Sequence, residues 1–206
     1  MNINNICAII LTGGLSKRMG GGNKTFKKFN NKIIFDRVLN KIESQAEKII
    51  VNNNGDKNLF MNYKIVVVED ILKGFLGPLA GIHAGFKWLI DNEIGYDWLA
   101  SVPGDTPFIP DDLIEKLAEK AKLGNHKIII AKSFGKIHPT VGLWHISLYE
   151  NLEESIKKGK RKILDWASNH SLNYLEFNNF KYDPFFNINY KEDIQKAEEI
   201  ENNYFN

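Results

Sequence analysis

Short apolar runs alternate along the chain with stretches of helical periodicity. Cys7 to Leu11 (CAIIL) is apolar at every position, as a strand covered on both faces requires. Lys48–Val51 (KIIV), Lys64–Val68 (KIVVV), Trp98–Val102 (WLASV) and Lys127–Ala131 (KIIIA) are the next strand candidates. Thr140–Trp144 makes a sixth strand and Tyr174–Phe177 a less apolar seventh. Between them, Phe35, Val38, Leu39 and Ile42 recur at helical spacing. Leu79–Ile90 is helical behind Pro78, whose missing N–H has no partner to lose in a first turn. Pro110 opens a helix with Leu113, Ile114 and Leu117 on one face. Ser147 is placed to cap a helix running to about Lys158, Lys162–Asn169 is a short helix, and Lys191–Glu201 closes the series.

Strands alternating with helices of this length call for right-handed crossovers. The expected fold is a three-layer α/β/α arrangement around a mostly parallel, Rossmann-like sheet. No repeat or linker divides residues 1–206, so one domain is expected. Open sheets of this kind bind ligands in the crevice beyond the carboxyl ends of their strands. LTGG follows the first strand, Asn52 the second, Glu69 and Asp70 the third, and PGDTPF the fourth.

Composition narrows the class. The 206 residues are 43% apolar and 12% aromatic, which suits a globular core. Lys and Arg number 27 against 25 Asp and Glu, a net charge of +2, so no overall field draws the protein to nucleic acid or a membrane surface. The start, MNINNICAIIL, lacks the basic and long apolar regions of a signal peptide, and no run approaches the roughly 20 residues of a membrane span. A cytoplasmic protein is expected. Cys7, the single cysteine, reads as a small core residue. His83, His126, His138, His145 and His170 have no zinc-site spacing.

The stretch Leu11–Lys24 (LTGGLSKRMGGGNK) holds five glycines, three cationic side chains and no acid. It is not a P-loop, because Arg18 and Asn23 stand where that motif needs glycine. It is not a dinucleotide fingerprint either, because Thr25 takes the third glycine position. Glycines beside Lys17, Arg18 and Lys24 after a buried strand suit an anion, since backbone N–H groups approach phosphate closely and fixed cations neutralise it. Asp105, past the fourth strand, is either a turn residue bonding its own backbone or a metal-anchoring carboxylate; the cationic loop favours the second. Asp70 caps the following segment or accepts hydrogen bonds from a base or ribose. The run Gly77–Gly81 either opens a helix toward ligand or only turns the chain.

Taken in order, these elements resemble the molybdenum cofactor guanylyltransferases, within the α/β nucleotidyltransferases. The matching pieces are Leu11-Thr12-Gly13-Gly14, Arg18-Met19-Gly20-Gly21, Asn23-Lys24, Val51-Asn52-Asn53-Asn54, Glu69-Asp70 and Gly77-Pro78-Leu79-Ala80-Gly81. They continue with Pro103 to Pro110, His138-Pro139, Gly159-Lys160-Arg161-Lys162 and Asn187-Ile188-Asn189. The likeness covers roughly residues 6 to 200. Thr12, Gly22, Asn23 and Tyr190 depart from the usual pattern without removing a cation or the acid. Gly13-Gly14 and Asp105-Thr106-Pro107 favour guanine over the cytosine used by relatives that read L-A-A-G.

The resemblance implies transfer of GMP from GTP to molybdenum-molybdopterin, with release of pyrophosphate. It implies Lys24 and Arg18 on the triphosphate and Asp105 as ligand of Mg²⁺. Leu11, Thr12, Gly13 and Gly14 would contact GTP through their backbone, and Asn52 and Asp70 would read base or ribose. Asn187 and Asn189 complete either the metal or the pterin side. Arg161 contacts the pterin phosphate or is a solvated helix start; His138 contacts the cofactor or is structural. The part up to about residue 110 would serve GTP and the later part the second substrate. Transient contact with proteins that insert or accept the cofactor is also implied. The rival readings are a nucleotidyltransferase of the same fold using CTP or a sugar phosphate, and a nonenzymatic GTP-binding partner protein. A dehydrogenase is disfavoured by the failed fingerprint.

Overall fold

A computed structural model of the chain describes residues 5–12, 23–72, 74, 77–92 and 95–205. Seven strands form the main sheet: β1 (Ile6–Leu11), β4 (Lys48–Asn52), β5 (Val66–Val68), β6 (Trp98–Pro103), β7 (Ile128–Ser133), β8 (Lys136–His145) and β9 (Leu172–Glu176). Their order across the sheet is β5-β4-β1-β6-β8-β7-β9. All neighbours run parallel except β8, which is antiparallel to both β6 and β7. A separate small hairpin joins β2 (Lys28–Phe29) to β3 (Lys32–Ile33).

The continuous apolar reading of β1 has its cause in two cores. Ile6, Ala8 and Ile10 pack on one face of the sheet, Cys7 and Ile9 on the other. The first face is covered by α1 (Ile34–Glu43) through Phe35, Val38 and Ile42, and by α3 (Leu113–Gly124) through Leu113, Ile114 and Leu117. The second is covered by α2 (Pro78–Asp91), α4 (Tyr149–Lys157) and the short α5 (Ile163–Ala167). These are the three layers expected from the alternating pattern. Cys7 is fully buried, and burial pushes its thiol up to about 12. A third, smaller core joins Phe29, Ile34 and Phe108 to Ile188 and to Ala197 of α6 (Lys191–Tyr204). Arg37 clamps α6 to that hairpin: it pairs with Glu201 and lies 3.8 Å over the Phe29 ring.

Several elements differ in detail from the sequence pattern. Lys64 and Ile65 precede β5 rather than joining it, and α3 begins at Leu113 because Pro110 lies in the turn before it. Ser147 sits inside a 3₁₀ turn (Ile146–Leu148) where its own N–H donates to the His145 ring, so α4 starts at Tyr149. β8 extends back to Lys136 because the two-residue turn Phe134–Gly135, with φ of 49° and 74°, returns the chain alongside β7. The β2–β3 hairpin, absent from the sequence reading, turns on Asn30 and Asn31 with φ of 44° and 61°, the left-handed pair that a type I′ turn needs and asparagine tolerates.

Four histidines have their pKa lowered below the usual value, chiefly by burial: His83, His138, His145 and His170. Nearby carboxylates oppose the shift at three of them, Glu153 for His83, Asp183 for His138 and Asp97 for His145. The unfolded chain, with histidines near about 6.5, therefore binds more protons than the folded chain just below that pH. Stability is full above pH about 6.5 and is lost as pH falls through the depressed folded values. Urea unfolding at a series of pH values from 8 to 5 checks this. His83→Phe, which keeps a flat ring against Tyr149 but removes the titration, flattens the slope; an unchanged slope refutes the assignment to His83.

Candidate active site

The carboxyl ends of β1, β4, β5 and β6 open onto a cleft of about 330 Å³. Leu11 and Thr12 reach it from β1, Asn52 from β4, and Asp70 from just past β5. Pro103 and Asp105 come from β6, and Asn187 and Asn189 from the segment before α6. The start of α2 closes one side through Gly77 and Pro78, which sets the positive end of the helix dipole beside the cleft. Gly81 allows this approach: a Cβ there would lie 2.6 Å from Asn52 Oδ1 and 2.8 Å from Leu11 Cδ2.

At the floor, the Lys24 ammonium forms an ion pair with the Asp105 carboxylate and donates to Asn189 Oδ1 at 2.7 Å. Asp105 is only 5% exposed, so this pair lies in a region where charge interactions are poorly screened. Lys24 starts a single 3₁₀ turn, Lys24–Phe26, capped by Asn23, whose Oδ1 accepts from Thr25 N–H at 3.1 Å and Thr25 Oγ1 at 2.8 Å. Asparagine thus fills the capping role its position requires, and Lys24 is aimed by the turn. Gly104 N–H donates to Leu11 O at 2.9 Å, tying the Asp105 loop to the end of β1.

The late segment is fastened to the same loop. Ile188 N–H donates to Asp105 O at 3.0 Å, and Thr106 Oγ1 donates to Asn187 Oδ1 at 2.8 Å. Asp193 fixes the other end of the segment, accepting from Asn189 and Tyr190 N–H at 2.9 Å each. Tyr190, though it departs from the usual pattern, therefore leaves the start of α6 intact. Across the cleft, Asp70 accepts from Asn52 Nδ2 at 3.0 Å and Asn54 Nδ2 at 2.8 Å.

Most residues singled out from the sequence meet here: Leu11, Thr12, Lys24, Asn52, Asp70, Asp105, Asn187 and Asn189. Gly13, Gly14 and Arg18 lie outside the described residues. His138 does not line the cleft. It is 6% exposed, hydrogen-bonded to Ser133 Oγ at 2.7 Å and packed on Phe185, which is the structural alternative. The Arg161 guanidinium donates to the carbonyls of Ile156 and Lys160 at 2.9 Å, at the end of α4, while its own carbonyl lies beside Gly77 at the cleft margin. Asn54, Thr25 and Thr140 line the cleft without having been singled out. Asn54 carried a signal in the Val51–Asn54 pattern; the two threonines carried none. Among the described residues no group of three or more His, Cys, Asp and Glu gathers, and no helix is long and apolar enough to cross a membrane.

Comparison with known proteins places this arrangement in context. The MobA-like NTP transferase domain model matches residues 8–172. A molybdenum cofactor guanylyltransferase of Nitrobacter hamburgensis is 37% identical over 193 residues, covering 93% of this chain and 92% of the relative. One from Yersinia pestis is 34% identical over 185 residues, covering 90% and 91%. Among solved structures, molybdopterin-guanine dinucleotide biosynthesis protein A of Archaeoglobus fulgidus superposes with a TM-score of 0.77 at 26% identity, over 96% of this chain and 99% of that one. A 4-diphosphocytidyl-2C-methyl-D-erythritol synthase of Anaerococcus prevotii shares the fold, with a TM-score of 0.73 at 14% identity over 96% of each chain.

Thr106 is fully buried, and its hydroxyl is what binds Asn187 to the Asp105 loop. Thr106→Val keeps the shape and removes the donor. The expected outcome is a loss of about 1–2 kcal/mol in urea unfolding, the cost of a part-buried acceptor left without its partner. Unchanged stability would show that the segment is held without this bond.

Proposed function

The chain belongs to the molybdenum cofactor guanylyltransferases, a family of nucleotidyltransferases with the MobA-like NTP transferase domain, and from that premise we propose how its cleft carries out the reaction. The enzyme transfers GMP from GTP to molybdenum-molybdopterin. A phosphate oxygen of the pterin substrate attacks the α-phosphorus of GTP, the bond from that phosphorus to the β-bridging oxygen breaks, and pyrophosphate leaves with the electron pair. The attacking oxygen is already anionic near neutral pH, so no strong general base is needed. The obstacle is repulsion between two anions, and catalysis consists of positioning and charge neutralisation.

The observation that carries this reading is the Lys24–Asp105 pair at the junction of β1, β6 and the Asn187–Asn189 segment. Lys24 supplies a fixed cation for the triphosphate, with Arg18 assigned beside it. Leu11, Thr12, Gly13 and Gly14 are assigned to backbone contacts with GTP. Asn52 and Asp70 hold the nucleoside end. Enzymes of this family use a divalent cation, and we assign Mg²⁺. The donors present fit it: the Asp105 carboxylate with the amide oxygens of Asn187 and Asn189 makes an all-oxygen set, which a hard cation prefers. Such a cation neutralises phosphate charge when bound. With a cation held by Asp105, Lys24 would be available to pair with phosphate, so that no charge would be left isolated.

On this reading the part of the chain up to about residue 110 serves GTP. Asn187, Asn189 and the loop carrying Arg161 face the molybdopterin side, and His138 supports that side from behind. We place the reaction in the cytoplasm, where GTP is made, with hand-over to proteins that insert or accept the cofactor.

The test is incubation with molybdopterin, a divalent cation and each nucleoside triphosphate in turn, with the dinucleotide product identified by mass. GTP gives product and pyrophosphate; equal turnover with CTP would overturn the guanine assignment. Asp105→Asn separates metal anchoring from turn formation, because asparagine makes the same backbone bonds without the charge. Turnover is expected to fall on the order of 10²-fold in a protein whose circular dichroism is unchanged, with partial rescue by excess Mg²⁺. Normal turnover with normal Mg²⁺ dependence would remove Asp105 from the mechanism.

A further inference from the structure

We infer that Asn54 is a positioning residue for nucleotide recognition, holding Asp70 so that its carboxylate presents two free lone pairs side by side to the cleft. The inference rests on the assignment of Asp70 to the nucleoside. The contacts between Asn54 and Asp70 run both ways. Asn54 Nδ2 donates to Asp70 Oδ2 at 2.8 Å, and Asn54 Oδ1 accepts from Asp70 N–H at 2.8 Å. The other carboxylate oxygen, Oδ1, is taken by Asn52 Nδ2 at 3.0 Å. Asn52 is 4% exposed, its Nδ2 also lies 3.4 Å from Val68 O, and its Oδ1 is pressed against α2 at Gly81. Asn52 is therefore a fixed jaw, and Asn54, exposed at the rim, is the jaw that sets the carboxylate plane.

An ionised carboxylate has about four acceptor positions, two on each oxygen. Among the described residues each asparagine occupies one, leaving one on each oxygen. Two acceptors fixed in one plane match a pair of neighbouring donors. A guanosine nucleotide offers two such pairs, the N1–H and 2-amino group of the base and the two hydroxyls of the ribose. A carboxylate free to rotate accepts from either pair less well, because one contact then has to be formed at the expense of ordering the side chain.

Asn54→Ala and Asn54→Asp test the role. Aspartate keeps an oxygen for Asp70 N–H, so it preserves the bond that shapes the loop, but it sets a like charge against Asp70 Oδ2. Calorimetric titration with GTP and with its analogues lacking the 2-amino group (ITP) or the 2′-hydroxyl (dGTP) gives the readout. For Asn54→Ala, GTP affinity falls about tenfold, KM rises by a similar factor, and kcat changes little. Asn54→Asp loses more than Asn54→Ala although its melting temperature stays nearer wild type, an order that a merely structural role would reverse. Loss of discrimination against ITP identifies the base edge as the donor pair, and loss against dGTP identifies the ribose. In an Asp70→Ala background Asn54→Ala has no further effect. An Asn54 effect that persists undiminished in that background overturns the positioning role while leaving Asp70 in the site. Asp70→Ala with wild-type GTP affinity overturns both assignments together, and GTP affinity unchanged in both Asn54 variants overturns the positioning role alone.

Discussion

One ion pair organises this molecule. Lys24 and Asp105 are 81 residues apart, yet an ammonium and a nearly buried carboxylate meet, each neutralising the other where charge is poorly screened. The sheet makes the meeting possible. β1 and β6 are hydrogen-bonded neighbours, with Leu11 in register with Pro103, so the loops leaving their ends emerge side by side. The third member, Asn189, arrives from the far end of the chain and is held by bonds to the Asp105 loop on one side and to Asp193 on the other. The layers behind the sheet keep these loop origins fixed.

What could be read from the sequence follows from where burial is two-sided. β1, β4 and β6 are covered on both faces, so their central residues are nearly all apolar and their ends are plain; the site residues that follow those ends were correspondingly visible. β8 was harder. Its first half carries Lys136, His138, Pro139 and Thr140, which dilute the apolar signal, and its reversed direction is set by the Phe134–Gly135 turn. A two-residue connection forces antiparallel pairing, but phenylalanine is a poor advertisement for left-handed backbone. The β2–β3 hairpin is too short to show a period at all, and only its Asn30–Asn31 pair marks it.

The site was legible where a residue's charge has no other use. Lys24, Asp70 and Asp105 stood out because each follows a strand with no helix face to solvate. Asn54, Thr25 and Thr140 did not, because neutral polar side chains look alike until their partners are known. His138 shows the converse. Paired with a proline in a recognisable pattern, it left ligand contact and a structural role both open, and its ring is turned inward to Ser133 and Phe185. Burial then lowers its pKa and keeps it neutral, as suits a residue within a packed wall.

The fastening of Ile188 and Asn187 to the Asp105 loop has a consequence for how the protein comes into being. Synthesis runs from the amino end, so Lys24 and β1 exist long before residues 187–189 are joined to the chain. A partly made polypeptide can assemble the central strands and bring Lys24 to Asp105, but the third wall of the cleft is missing. The side of the cleft assigned to the second substrate is therefore the last to form, as the final strap is drawn across.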